Sequence, residues 1–350
     1  MSGLSSVAAV VAQFGVLARR SCVAFALALL VCACSEDDSA GPNEWSAASA
    51  NRSELGLAGN DATWTGRFEL PDGSVLQLAA PPVAILPGSA GSVDMVCALV
   101  PPERLAGLPH GSDRYSALTD EPGSAFLQRP SFVAFRAEQL LGLAPDLVIA
   151  HSWQPADTIA RLQEAGVPVL RLADANVWAD VRTQLVLLGS ILAAEGQAAA
   201  LVADYDGRVA ALLQDQGAAT ALSAVCYSNG GAGGWAAGSD TTLDEILRLA
   251  GLRNLAAEAG LVGHDTMTFE ELLLLDPDVL VVGGAADGQQ AGGTLALLRE
   301  TDALAALSSV RAERIIELPS WLYTTTSQYV VDAAERVARA AAPWRDGADR

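Results

Sequence analysis

The chain contains three histidines, His110, His151 and His264, and bulky aromatic residues recur near them or in comparable turns. Tyr115 follows the first and Trp153 the second, while Trp235, Trp321 and Tyr323 stand beside glycine-, serine- and threonine-rich stretches. Imidazoles facing one another across a cleft could hold iron or cobalt, directly or within a tetrapyrrole, and indoles could wall a large flat ring. Three histidines with a carboxylate would equally suit zinc or manganese. A carboxylate-rich ligand would need arginine, for which Arg114, Arg129 and Arg136 are available, though the sequence does not place them.

The elements that must position these side chains come in two copies. "EQLLGLAPDLVIA" begins at Glu138 and "EELLLLDPDVLVV" at Glu270, with six of thirteen positions identical. In each copy an acid opens a leucine-rich helix, Pro-Asp breaks it, and an apolar run follows as a strand covered on both faces, as in a parallel sheet. A short strand and a helix precede each copy: "VAILPG" then Ser92–Leu105, and Ser223–Ser228, a glycine loop, then Thr242–Leu255. Thr242 with Glu245 has the spacing of a capping box, and so does Thr268 with Glu271. After each copy come a helix and a strand, Val167–Leu172 in the first half and Arg314–Leu318 in the second. The expected fold is α/β: two lobes, each a small parallel sheet flanked by helices, joined by a single long connecting helix.

The chain therefore divides into a leader at 1–33, a flexible tether at 34–60 and a β-hairpin around Pro71-Asp72-Gly73 at 61–80. The N-lobe follows at 81–176, connecting helices at 177–216 and the C-lobe at 217–345. Ligands of such sheets bind beyond the carboxyl ends of the strands. That places the cleft at Gly88–Ser92, Pro109–Tyr115, His151–Pro155, Ser228–Gly238, Gly263–Met267 and Ser320–Ser327, where all the histidines and aromatic residues above are found.

At the amino terminus, Arg19 and Arg20 precede the apolar run Cys22–Val31, which is too short to span a bilayer. The run ends in "VCACSEDD", which resembles a bacterial lipoprotein signal with Cys34 as the lipidated residue; ordinary secretory cleavage is the alternative. Every one of the 21 basic residues is arginine, against 41 acids, and the net charge of −20 leaves no basic stripe for nucleic acid. Cys97 and Cys226 fall in different lobes and read as buried free thiols.

The order of parts resembles the periplasmic binding proteins of ABC importers for iron-siderophore, haem and vitamin B12, over roughly Pro81 to Ala342. "ERLAGL", "EQLLGLAPDLVIA", "EAGVPVL", "GSDTTLDEILRLAGLRNLAAEAGL" and "MTFEELLLLDPDVLVVGG" carry it, in that order. The resemblance implies a monomer with no cofactor of its own, working at the outer face of a membrane with a permease dimer and its ATPase. It also implies that Glu138 and Glu270 dock to permease arginines, one from each lobe. The helix dipole alone also favours acids at those positions. His151 and His264 occupy turns that carry ligand-contacting aromatic side chains in that family. Two rival readings are a lipid-anchored haem or metal carrier without a transporter, and the zinc or manganese importer component. A third is an α/β enzyme, since Gly231–Ala236 ("GAGGWA") matches a dinucleotide fingerprint. That loop, however, does not open directly into its helix, and no P-loop, G-x-S-x-G or H-E-x-x-H is present.

Overall fold

The computed structural model describes residues 64–216, 222–229, 234–284 and 293–345. The leader, Cys34, the tether at 34–60 and residues 231–233 of the glycine loop lie outside the described residues. The hairpin is present as antiparallel β1 (Arg67–Glu69) and β2 (Val75–Gln77). Asp72 accepts the Ser74 amide at 2.9 Å in its turn, and Gly73 takes a φ of 81°, the left-handed conformation that glycine adopts without strain.

The N-lobe runs β3 (Ile85–Pro87), α1 (Ala90–Leu99), β4 (Leu108–Pro109), β5 (Ser131–Phe132), α2 (Ala137–Leu141), β6 (Leu147–His151), α3 (Ala156–Glu164) and β7 (Val169–Leu172). Its sheet is β3-β6-β7, all parallel, with β4 and β5 paired to one side. Two helices follow, α4 (Trp178–Ile191) and α5 (Glu195–Gln214). At 1.5 Å per residue the second is about 30 Å long, so the connector is a long helix preceded by a shorter one packed against it.

The C-lobe runs β8 (Ser223–Asn229), β9 (Gly234–Ala237), α6 (Thr242–Leu249), β10 (Arg253–Asn254), β11 (His264–Thr266), α7 (Phe269–Leu275) and β12 (Val279–Gly283). It continues through α8 (Gly293–Glu300), β13 (Ile315–Leu318), α9 (Ser320–Tyr323) and α10 (Val330–Arg345). Strands β10, β8, β12 and β13 are parallel, as the apolar runs predicted. Two antiparallel strands, β9 and β11, extend this sheet where sequence suggested only loops. The helix expected at Ser92–Leu105 starts earlier, at Ala90, and stops at Leu99. Pro101 and Pro102 cannot continue it.

Alternation along the strands sorts their side chains into separate cores. Leu147 and Ile149, Ala224 and Cys226, and Val279 and Val281 all join one cluster, which also holds Val181, Leu188 and Val202 of the connector and Val331 and Val337 of α10. Their neighbours face the other way: Val148 and Ala150 pack in a core private to the N-lobe, Val225, Tyr227, Leu280 and Val282 in one private to the C-lobe. Each fully buried aliphatic side chain contributes about 1.5–3 kcal/mol. The uninterrupted apolar runs are thus explained by two covered faces, and the inner face is common to both lobes.

The repeated Pro-Asp does more than end a helix. Asp146 accepts the amides of Val83 and Ala84 at 2.7 and 3.0 Å, fixing the start of β3 beside β6. Asp278 accepts the amide and hydroxyl of Ser223 at 2.9 and 2.7 Å, fixing the start of β8 beside β12. In each lobe this carboxylate clasps the neighbouring parallel strand. The capping box expected at Thr242 and Glu245 is not formed. Thr241 caps α6 instead, accepting from the Asp244 amide at 3.1 Å, while buried Glu245 accepts the amide of Trp178 at 3.1 Å and so caps the connector. A partner far away in sequence displaced the local one.

Removing each clasp tests its weight by urea unfolding. Asp278→Ala should cost about 2 kcal/mol because it strands a partly buried amide, and Asp146→Ala about 1 kcal/mol because the Val83 amide can turn to water. Equal stability of Asp278→Ala and the parent would refute the assignment.

Candidate functional site

The carboxyl ends of β3 and β6 meet at a hydrogen-bonded crest. Ser89 caps α1 in a reciprocal pair with Ser92, and its hydroxyl lies 2.7 Å from Nε2 of His151, the last residue of β6. Gln154 braces the same turn, accepting the His151 amide at 2.9 Å and donating to the Gly88 carbonyl at 2.7 Å. A Cβ on Gly88 would come within 2.7 Å of the Ile149 carbonyl and 2.8 Å of both Gln154 and Phe135, so only glycine fits. His151 is buried, and desolvation pushes its pKa down to about 4 despite the nearby Asp174. Its imidazole is therefore neutral at pH 7, with Nε2 engaged by Ser89. Trp153 stacks on it at 5.6 Å between centroids, 10° from parallel, and remains 52% exposed. The crest thus presents an indole, backed by an uncharged ring that hydrogen bonds hold in place.

In the C-lobe, the register His264↔Ala237 and Thr266↔Trp235 puts His264 and Trp235 on one face of the β9–β11 ribbon, diagonal to each other. Trp235 is half-buried and His264 exposed. Tyr323, half-buried, hydrogen-bonds Ser228 at the end of β8, and desolvation raises its pKa well above the usual phenol range. Trp321 points inward: it is 7% exposed and packs edge-on against Tyr329 in the shared core, 5.3 Å between centroids. Because β13 turns directly into α9, this indole is part of the core and not a wall of the cleft. The fingerprint "GAGGWA" ends inside β9, which stands between it and α6, so the helix that follows it in sequence does not start at the loop as a dinucleotide site requires.

The sequence profile of the periplasmic binding protein family matches residues 116–322. The chain belongs to that family. It is 25% identical over 216 residues to an uncharacterized ABC transporter substrate-binding lipoprotein, YvrC, of Bacillus subtilis, covering 59% of this chain and 65% of that one. It is 32% identical over 152 residues to a cobalamin-binding protein of Halobacterium salinarum, covering 43% and 41%. Among solved structures, an ABC-type Fe3+-hydroxamate transport system protein from Saccharomonospora viridis superposes with a TM-score of 0.64 at 25% identity, covering 78% of this chain and 98% of that one. The two-lobed α/β architecture expected from sequence is that of these binding proteins. The chain spans less than two thirds of the length of either curated relative.

The remaining site residues of this binding protein are dispersed. His110 is exposed, its amide bonded to the Phe132 carbonyl at 2.8 Å. Tyr115 is half-buried, in a short helical turn, Ser112–Tyr115, that packs against α9 of the other lobe. Among the described residues no three His, Cys, Asp or Glu side chains converge, so His110, His151 and His264 do not assemble the zinc or manganese site considered above. Glu138 and Glu270 are both exposed in the first turns of α2 and α7. Thr268 caps α7 in a reciprocal box with Glu271, whose carboxylate accepts the Thr268 amide at 2.7 Å, and Arg136 gives α2 no side-chain cap. Cys97 is half-buried and Cys226 buried, both free, and burial raises both thiol pKa values far above the usual range. Sequence reasoning placed both turns of the Ser89–His151–Gln154 crest at the cleft and named His151, but did not single out Ser89 or Gln154 or the bonds that join them. The serine at a helix start and the glutamine three residues past a strand end were its only signals.

A neutral buried histidine has a thermodynamic signature. Its folded pKa lies below the unfolded value, so the unfolded chain binds more protons and stability falls as pH drops from 6.5 towards about 4. Relative to His151→Phe, the parent should lose about 3 kcal/mol across that window. Urea unfolding at several pH values measures this, and parallel curves for the two proteins would contradict it.

Proposed function

We propose that this chain is the substrate-binding component of an ABC importer, anchored by lipid on Cys34 at the periplasmic or outer face of a membrane. It captures a metal chelate, a corrinoid, haem or ferric siderophore, in the cleft between its lobes and passes it to a permease. The iron or cobalt is cargo, and the chain needs no cofactor of its own. The family supports transport over catalysis. The relatives' names supply the ligand class, cobalamin in one case and Fe3+-hydroxamate in another.

The observation that carries the reading is Trp153, half exposed at the end of β6 and stacked on a neutral imidazole. A buried aromatic is core, but an exposed one on a braced support is a surface for a flat or bulky ligand. Because Nε2 of His151 is already hydrogen-bonded, the crest supports packing against the chelate more readily than coordination of its metal. Tyr115, Trp235, His264 and Tyr323 are candidates for the remaining contacts, and the core common to both lobes limits capture to a small twist. Glu138 and Glu270, one on each lobe, then offer two carboxylates at a fixed spacing to two guanidiniums of the permease dimer.

Tryptophan fluorescence with cyanocobalamin, haemin and a ferric hydroxamate as probes tests capture. One of the three should quench emission saturably, and Trp153→Ala should weaken that ligand about tenfold, near 1.4 kcal/mol. Folded protein that answers none of them would overturn the proposal. Docking is read separately: Glu138→Ala combined with Glu270→Ala should abolish uptake into cells or proteoliposomes and leave ligand affinity unchanged. A drop in affinity would place those acids in the cleft instead.

A further inference from the structure

The lobes touch at a buried carboxyl group that the cleft chemistry does not use. Asp94, in the middle of α1, is 4% exposed. Its Oδ1 accepts the Ala117 amide at 2.8 Å, its Oδ2 lies 2.9 Å from the Ser327 hydroxyl, and its backbone carbonyl accepts the Gln328 side-chain amide at 3.1 Å. Ser327 is in turn 3.0 Å from the hydroxyl of Thr325. One turn earlier on α1, Gly91 lies so close to Thr326 that a Cβ would stand 2.2 Å from its hydroxyl oxygen. A single side chain of the N-lobe therefore joins a turn of its own lobe to the segment Thr325–Gln328 of the other.

Among the described residues no cation faces this carboxyl. The titratable groups around it are Cys97 on α1, Glu121 after the neighbouring turn, and Tyr329 on the C-lobe side. Arg208 on the connector is already held by Asp332 and Glu335 at 2.7 and 2.8 Å. Desolvation raises the Asp94 pKa to about 7, against the opposing pull of its bonds from Ala117 and Ser327. When neutral, Oδ2–H donates to Ser327, whose own hydrogen turns to Thr325, and the contact between the lobes is kept without a buried charge. When ionised, Oδ2 accepts from Ser327, but the same site holds a negative charge in a dry seam with no cation beside it among the described residues.

We propose that Asp94 is a proton-operated latch between the lobes, closed when its carboxyl is neutral and loosened when it ionises. The sign follows from linkage: the seam as built favours the proton, so its stability is fully present below the ordinary carboxyl pKa of about 4 and is lost as pH rises through about 7. Lobe coupling, and with it any step that needs the lobes to move together, then responds to pH around neutrality.

Hydrogen exchange on the intact, ligand-free protein tests the latch without reference to any cargo. After correction for the intrinsic exchange rate, amides at 116–118 and 325–329 should lose at least tenfold protection between pH 5.5 and 8.5. Asp94→Asn keeps the shape and both partners but cannot ionise, and its protection should not change with pH. Ser327→Ala keeps the carboxyl but removes the C-lobe partner, and should be weakly protected at both values. Unchanged protection in the parent, or the same pH profile in the parent and Asp94→Asn, would overturn the proposal. If Asp94→Asn does not fold, a Ser327→Ala profile that still tracks the parent overturns it equally.

Discussion

Everything else in this molecule depends on one hydrophobic core that is not divided between the lobes. The inner faces of both parallel sheets, the paired connector helices and α10 contribute to the same cluster. Polar contacts pin its perimeter. Buried Arg104 joins the Pro82 carbonyl at the base of β3 to the Leu192 carbonyl in the connector turn, Glu245 caps the connector from the C-lobe, and Arg208 fastens it to α10. Interiors packed in this way are stiff and shift between discrete arrangements in preference to bending smoothly. The cleft is therefore a gap between two bodies whose backs are already joined.

The chain's acidity has a structural use. With 41 acids and 21 arginines, one-to-one pairing would still leave 20 carboxylates without a guanidinium. Many find backbone amides instead: Asp146 and Asp278 clasp strands, Glu271 and Glu245 cap helices, and Asp276 holds the Ser308 amide at 2.7 Å. Charge-assisted bonds of this kind satisfy donors that no regular element would. Asp94 and His151 then act in opposite senses over overlapping pH ranges. Acid relaxes the cost of burying the first and imposes one on the second. The measured stability of the whole protein will show less pH dependence than either group alone.

Much of the fold was legible because the signals were local. Uninterrupted runs such as Leu147–Ala150 and Val279–Val282 required two covered faces, and the Thr268–Glu271 spacing required a cap. What could not be read was set by partners distant in sequence. Thr242 and Glu245 had the spacing of a box, yet Glu245 faces Trp178. Strands β9 and β11, four and three residues long between glycine-containing turns, are too short for their direction to show. Trp321 sat in a serine- and threonine-rich turn like the cleft aromatics, and only the fold reveals that this turn points inward. Asp94 did carry a signal: a lone acid flanked by valine and methionine within an apolar helix is a buried polar group awaiting a partner.

The connector has a further consequence for how the chain comes into being. One side of it rests on a lobe whose residues are all translated earlier, and the other against α10, which is made only after the C-lobe sheet. Its first helix is capped by Glu245, which arrives only with the C-lobe. The N-lobe therefore has its private core early but no cover for the far side of its own connector until α10 docks. Folding of the first half waits for the second, and a chain halted between them exposes an apolar helix face that only the C-lobe can bury.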